Sequence, residues 1–574
     1  MRKRNGLILF FIVIIGFTVR FWGIDFGLPH PDCRPDELPI INIALKFGTG
    51  DLNPHFFRYP SFYMYLLSSI FLLYFLFGRI TNKYAAVQDF ITEAIVNRSN
   101  FYLIDRCLSV FAGVATIFIT YRICKYLFDD DDTALTSSFF VSLVYLHVRD
   151  SHFGVTDVFM TFLVVCSIFY IIKCYREFNI KNYVLAGIFG GLAMSTKYNG
   201  FLVIAPMFIV HYLKCVDGKL NFLKLLTDKK ILFFVIFFCV GFLFGTPFAV
   251  IDHHKFMVDL LYEFKHLHVG HSINLGIGWW YHLKFSLFLG LGWSLLIFGL
   301  IGIFFFVRRD KRKALILCSF PLLYYILIGR GFTVFVRYVI PIVPFLCITA
   351  GLCVTHISGK LFGKNRRWRM WFTIFLSFLV ILPSVCRVIN FNKLLAKEDN
   401  RLIVEKWIDR NISKGATICQ FTSANWDRLQ LCPTIDQIEE KLKMYSKKRM
   451  KIDIMKTKAM LDYFIKNSIE GYRLFTYDEK SGRCISDIAE YNILPQYIVA
   501  PSHPLSIYSN IPEAAKEVLS SYYYLRKAFI VIDDDDDENL FDQSDAFYVP
   551  FSEFKNVERP GPNYYIYERI GLTK

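Results

Sequence analysis

The chain has 574 residues, of which 54% are hydrophobic and only 20% charged, with 60 Phe and a formal net charge of +16. A chain of this length would ordinarily divide into several soluble domains, but this composition excludes a wholly soluble protein. The positive charge falls largely in short loops between apolar runs, which is a topology signal and argues against nucleic acid as a partner.

Met1-Arg2-Lys3-Arg4 opens like a signal peptide, but no small-residue cleavage site follows, and Arg20-Phe21-Trp22 closes the run as an interface anchor. An uncleaved first span from about Leu7 to Trp22 is expected, with a cytoplasmic N-terminus. Further apolar runs centre near residues 112, 141, 165, 190, 207, 241, 295, 321, 346 and 380. Each approaches the length needed to cross roughly 30 Å of hydrocarbon. The connecting segments richest in Lys and Arg are 173–181, 214–230, 308–313 and 360–369. If residues 61–77 also crossed, all four would move outside; if they do not, all four fall inside with the N-terminus. The segment is therefore expected to lie along the interface or re-enter it, and residues 23–98 to form one large external loop. Residues 38–46 within it read as a short amphipathic interfacial helix.

The expected fold is a polytopic α-helical membrane protein of about eleven spans, covering residues 1–390. An extracytoplasmic α/β domain follows over residues 391–574. In that domain residues 400–411 carry apolar groups at helical spacing, and strands are expected after Lys414-Gly415, at Tyr497-Ile-Val, at residues 529–532 and at residues 564–567. Cys419 and Cys432 are close enough in sequence to pair, although spacing alone does not decide it. The acidic run at residues 533–537 is read as a solvated loop in preference to a metal site. Asn97-Arg-Ser99 and Asn411-Ile-Ser413 are N-glycosylation sequons on the expected external face. The multi-pass topology, with its C-terminal domain outside, fits the plasma membrane of a prokaryote.

The same face gathers polar residues at membrane level, where charge is costly unless it is paired or functional. Arg34-Pro35-Asp36-Glu37 follows the first span directly. His55-Phe56-Phe57-Arg58-Tyr59-Pro60 precedes the next apolar run, and Arg106 opens the one after. Ser151-His152-Phe-Gly-Val-Thr-Asp157, the turn Thr196-Lys197-Tyr198-Asn199-Gly200 and Arg337-Tyr338 complete the set. Acids gain nothing from anionic headgroups, so Asp36, Glu37 and Asp157 point to chemistry more than the cations do. Residues 252–282 hold six His, at 253, 254, 266, 268, 271 and 282. They are read as a rim loop over a site in preference to a zinc centre.

In this order, these motifs over roughly residues 1–390 resemble the GT-C glycosyltransferases. The likeness is to the dolichyl-phosphate-mannose–protein mannosyltransferase family and its bacterial relative, the aminoarabinose transferase of lipid A. No β-trefoil insert of the eukaryotic type is visible. The resemblance implies a donor in which polyprenyl phosphate carries one sugar, and a glycan, protein or lipid acceptor at the external face. It implies Asp36 as general base, Glu37 and Asp157 as orienting acids, and inversion at the anomeric carbon. Arg58, Lys197 and Arg337, with Tyr59, would bind the donor phosphate. Arg34, Arg106, His152, Tyr198 and Tyr338 would bind substrate. The three acids would tolerate a divalent cation, but no ligand spacing demands one and no other cofactor is implied. A lipid-linked sugar flippase, an oligosaccharide or polymer ligase of the same architecture and a non-catalytic binding subunit are the competing readings.

Overall fold

The computed structural model describes residues 2–271, 273–363, 365–422, 426–478, 483–486 and 494–571. The chain divides into two compact units. The first comprises Met1–Ile24, Pro39–Ile70 and Ile104–Asn392, and the second Asp25–Leu38, Phe71–Leu103 and Lys393–Lys574. The boundary near residue 390 thus falls between Asn392 and Lys393, but the second unit also takes two pieces of the first loop.

The first unit is helical, and the protein is a multi-pass membrane protein. Among the described residues eight helices are long and apolar enough to cross a bilayer, or nine if the bent pair Gly278–Leu291 and Trp293–Arg309 forms one span. Every apolar run expected from the sequence lies in a helix, so the difference from eleven is one of length. Asp131–Leu143, Ile180–Met194 and Lys229–Gly245 have 13, 15 and 17 residues. At 1.5 Å per residue they reach only about 20–26 Å. Residues 61–77, read as non-crossing, belong from Phe62 onward to a continuous 19-residue helix, Phe62–Ile80, of crossing length. The interfacial segment begins one residue early, as the helix Glu37–Lys46.

One helix contact bears directly on the turn that follows it. Ile180–Met194 packs on Lys229–Gly245 through glycines. A Cβ on Gly191 would stand 2.1 Å from the Phe238 carbonyl oxygen, and one on Gly187 would stand 2.5 Å from that of Phe234. Without side chains in the way the two backbones meet directly, as small residues permit between membrane helices. The turn at Ser195–Lys197 is fixed from the same side, because the Ser195 and Thr246 hydroxyls are 2.6 Å apart.

The second unit is built on a mixed six-stranded sheet. Its strands are β1 (Thr417–Gln420), β2 (Arg473–Asp478), β3 (Arg483–Ile485), β4 (Tyr497–Ser502), β5 (Tyr523–Phe529) and β6 (Asn563–Arg569), in the order β3-β2-β1-β4-β6-β5. β1 runs parallel to β2 and β4, and the remaining pairs are antiparallel. The pleat sends alternate residues to opposite faces. Ile418 and Val499 join one core with Val404, Ile408, Tyr472 and Ile566, while Cys419 and Ile498 join another with Phe475, Leu519 and Tyr523.

Two expectations for this unit are corrected. The strand expected over residues 529–532 lies earlier, sharing only Phe529 with β5. The Val531 and Ile532 amides donate to the Asn563 side chain at 2.7 and 3.3 Å, so they join no ladder, and both side chains are buried in a third cluster. Cys419 faces Cys484 of β3, with the sulfurs 2.8 Å apart, and not Cys432; all three are free thiols. In the acidic run, Asp534 accepts from Asn563 and Tyr565 at 2.8 and 2.7 Å. Among the described residues no group of three or more His, Cys, Asp or Glu is placed to hold a metal.

The piece of first loop in this unit is tied down by buried charge. Arg401 grips Asp399 with two bonds of 2.8 Å and donates to the Trp426 and Asp32 carbonyls at 2.8 and 3.2 Å. His30 sits 2.8 Å from the Arg428 carbonyl. Burial lowers its pKa to about 3, with the Arg401 charge adding to the effect, so it is neutral.

Asp427 offers a test of the electrostatics of this unit. Its carboxylate is buried and accepts a hydrogen bond of 2.6 Å from Thr422. Burial raises its pKa to about 6. A raised acid favours the folded state while protonated, so stability is lost as pH rises from about 4 to 6 and stays lower above that. Asp427→Asn keeps an acceptor for Thr422 and removes the penalty. It is expected to stabilise this unit at pH 7 by up to about 3 kcal/mol and to be neutral at pH 4. Denaturant unfolding at both pH values checks this, and an equal effect at both would contradict it.

Candidate active site

The first unit brings three of the expected cations onto one band of aromatic side chains. Lys197 lies in the turn after Ile180–Met194, where its amide donates to the Ala193 carbonyl at 3.0 Å. Its Nζ is 2.5 Å from Asp157 Oδ1, and the two side chains are 13% and 4% exposed. Asp157 stands in the first turn of Thr156–Glu177, where the helix dipole also favours a carboxylate. The contact with Asp157 fixes where the ammonium points. The same ammonium lies 4.8 Å from the centre of the Tyr338 ring.

From Tyr338 the contacts continue without a break. Phe335 packs on Tyr338 with ring centres 5.3 Å apart, and the buried Arg337 guanidinium lies 4.5 Å from the Phe335 ring. His271 meets Phe335 at 5.2 Å and shares a 3.2 Å hydrogen bond with His266. His266 stacks on Tyr262 at 5.8 Å with the planes 12° apart, and the Arg58 guanidinium caps Tyr262 at 4.1 Å. Cation–π contacts orient each guanidinium against its ring.

The segment carrying Arg58 is clamped on both sides. The Phe57 amide donates to Asp259 at 2.8 Å, its carbonyl accepts from the Tyr198 hydroxyl at 2.6 Å, and Lys255 neutralises Asp259 at 2.7 Å. The flanking Tyr59 is half-buried and packs on Phe56 at 5.9 Å. Tyr198 is thus a support for the Arg58 backbone.

Other expected site residues lie elsewhere. Asp36 and Glu37 belong to the second unit. Asp36 is half-buried and has φ 73°, a left-handed conformation that Asp tolerates better than most residues. Glu37 opens the helix Glu37–Lys46 and is fully buried, so Asp36 is the accessible acid of the two. Three residues expected to bind substrate are buried. Arg34 is 0% exposed and bonded to Asp545 at 2.6 Å, as a tie inside the second unit. Arg106 is buried and donates to the Ile24 carbonyl at 2.8 Å. His152 is buried between the Val148 and Trp22 carbonyls, at 3.0 and 3.1 Å.

Sequence reasoning missed Tyr262, Phe335 and Asp259. Tyr262 was within reach of it, since it precedes His266 by four residues on the helix His253–Val269 and the two must share a face. Phe335 and Asp259 carried no local signal.

A comparison with curated protein sequences gives no match. Among solved structures the chain is similar to ArnT from Cupriavidus metallidurans in the apo state, at 11% identity and a TM-score of 0.49, over 73% of this chain and 82% of that one. It is similar to the Archaeoglobus fulgidus oligosaccharyltransferase tethered with an acceptor peptide, at 14% identity and a TM-score of 0.46, over 73% of this chain. The match spans 62% of that enzyme's length. The same archaeal protein in complex with an inhibitory peptide and a dolichol-phosphate matches at 13% identity and a TM-score of 0.45, over 73% of this chain and 62% of that one. The resemblance drawn from the sequence finds its counterpart in one segment: residues 94–244, which carry Asp157 and Lys197, match the family model described as dolichyl-phosphate-mannose-protein mannosyltransferase.

Proposed function

We propose that this protein is an integral membrane glycosyltransferase that moves a single sugar from a polyprenyl-phosphate donor to an acceptor hydroxyl on a protein, lipid or glycan. The observation that carries the reading is the band from Lys197 to Arg58, which sets three cations along one aromatic surface within a helical membrane unit. Cleavage of the donor leaves a phosphate monoester, and cations aimed at that growing charge lower the barrier. Arg58 and Arg337 would grip the phosphate oxygens, with Lys197 held ready by Asp157 and Tyr338. The acceptor hydroxyl needs a general base, and this reading gives that role to Asp36, with Glu37 as an orienting acid. Attack on the side away from the leaving phosphate inverts the anomeric carbon. The reading places the reaction at the extracytoplasmic face, with the N-terminus in the cytoplasm.

The test gives the full-length protein in lipid a panel of radiolabelled polyprenyl-phosphate monosaccharides with mixed acceptors. Label leaving the lipid fraction together with free polyprenyl phosphate is the expected result. Label crossing the bilayer with its lipid bond intact would make the protein a flippase. Turnover only of donors bearing a long glycan would make it a ligase.

A further inference from the structure

A helical hairpin of the second unit ends in a basic tip. Its two helices, Ile435–Lys447 and Lys451–Lys466, pack on each other. From Lys441 to Lys458 the sequence holds eight Lys and Arg and one acid, Asp453. Lys447, Lys448, Arg449 and Lys451 form the tip. All four are exposed, and among the described residues none of them makes an ion pair. The backbone keeps them together. The Lys448, Arg449 and Met450 amides donate to the Met444, Ser446 and Tyr445 carbonyls at 3.0, 3.1 and 3.0 Å, and Arg449 turns the chain with φ 55°. Apolar side chains lie among the cations: Met450, Ile452 and Met455 are 40%, 38% and 41% exposed. Thr457 and Phe464 bury the other face of the second helix, so Ile452 and Met455 point outward. Cations interleaved with outward apolar side chains are the pattern of a segment that lies in a membrane interface.

The hairpin is also joined to a part of the chain that enters the bilayer. Lys451–Lys466 packs on the helix Val87–Val96. Lys466 at one end is in charge range of Asp89, and Lys456, toward the other end, is in range of Arg98, so the two helices run antiparallel. Arg98 directly precedes Ser99–Phe128, a 30-residue helix long and apolar enough to cross a bilayer. At 1.5 Å per residue it reaches about 45 Å, the thickness of a bilayer with its headgroups. The tip lies beyond Lys456, on the side from which the chain enters this helix at headgroup level.

We propose that residues 447–451 dock on the surface of the bilayer that holds the protein, with Lys447, Lys448, Arg449 and Lys451 on the phosphates of anionic lipids and Met450, Ile452 and Met455 in the interface. Each cation near such a surface is worth about fivefold in the ratio of docked to free tip, so four together give a ratio on the order of several hundred. A soluble polyanion would answer the charges but leave the three apolar side chains in water, and for that reason a lipid surface is the better partner. Docking ties the second unit to the membrane at a point remote in sequence from the helices that enter it.

The test is hydrogen–deuterium exchange of the full-length protein in nanodiscs of phosphatidylcholine, and of phosphatidylcholine mixed with phosphatidylglycerol. Peptides covering residues 444–456 are expected to exchange about tenfold or more slowly in the anionic discs. High salt should abolish the difference, since near 1 M the Debye length falls to about 3 Å. The triple variant Lys447→Gln, Lys448→Gln and Lys451→Gln, checked for unchanged melting, should exchange alike in the two discs; Arg449 is kept because of its φ. Equal exchange by wild type in both discs would overturn the proposal, as would a slowing that persists in the triple variant or at high salt. Slowing by soluble polyphosphate in neutral discs, without any effect of anionic lipid, would make the tip a site for a soluble polyanion and overturn the proposal too.

Discussion

Asp36→Asn is expected to lower the rate of sugar transfer by about 10²–10⁴-fold with the donor KM little changed, the range for loss of a general base. The argument for this residue is local. Asp36 has φ 73° and is half-buried, whereas Glu37 beside it is fully buried. Asn shares with Asp its tolerance of the left-handed region, so the substitution removes a proton acceptor without adding backbone strain. The proposed donor contacts come from other residues, which is why KM should hold. The measurement is kcat and KM with saturating acceptor. Unchanged kcat would remove Asp36 from the mechanism, and a higher donor KM with unchanged kcat would move it to the donor site.

Lys197→Met is expected to act on both stability and chemistry. Its ammonium lies 2.5 Å from Asp157, whose side chain is 4% exposed, so the change leaves a buried carboxylate without its partner. Breaking such a pair costs on the order of 3–5 kcal/mol, where replacing both members is often close to neutral. The double variant Lys197→Met with Asp157→Asn should therefore recover most of the lost thermal stability. It should recover none of the lost donor affinity, because the phosphate still lacks a cation. Melting temperature and donor KM for the two variants separate these effects. Recovery of KM in the double variant would make the pair a structural tie alone.

The helices were legible because each apolar run carries its own signal. All the expected centres lie in helices, including the short Asp131–Leu143 and Ile180–Met194, of 13 and 15 residues. Hydropathy registers a run but not the turn that ends it. The sheet was legible where burial on both faces gives a continuous apolar strand, as in β4. It was misplaced at residues 529–532, where equally apolar Val531 and Ile532 give their amides to Asn563.

At the site, Lys197, Asp157, Arg58 and Arg337 are each engaged by partners that fix their direction. Arg34, Arg106 and His152, expected to bind substrate, are buried. Each is equally costly to bury and is paired with structure instead, Arg34 with Asp545 more than five hundred residues away. One-dimensional reasoning shows that such a charge must be satisfied but not by what. The aromatic residues joining the cations were lost among 60 Phe and 33 Tyr.

The central claim is that a lipid phosphate binds along the band from Lys197 to Arg58, and photolabelling tests it most directly. A polyprenyl phosphate carrying a diazirine on its first isoprene unit, irradiated with the full-length protein in lipid, should label peptides holding Arg58, Tyr262 and Phe335–Tyr338. Unlabelled polyprenyl phosphate should compete the signal away, and Arg58→Ala with Arg337→Ala should lose it. Specific labelling confined to other segments, unaffected by those two substitutions, would contradict the account.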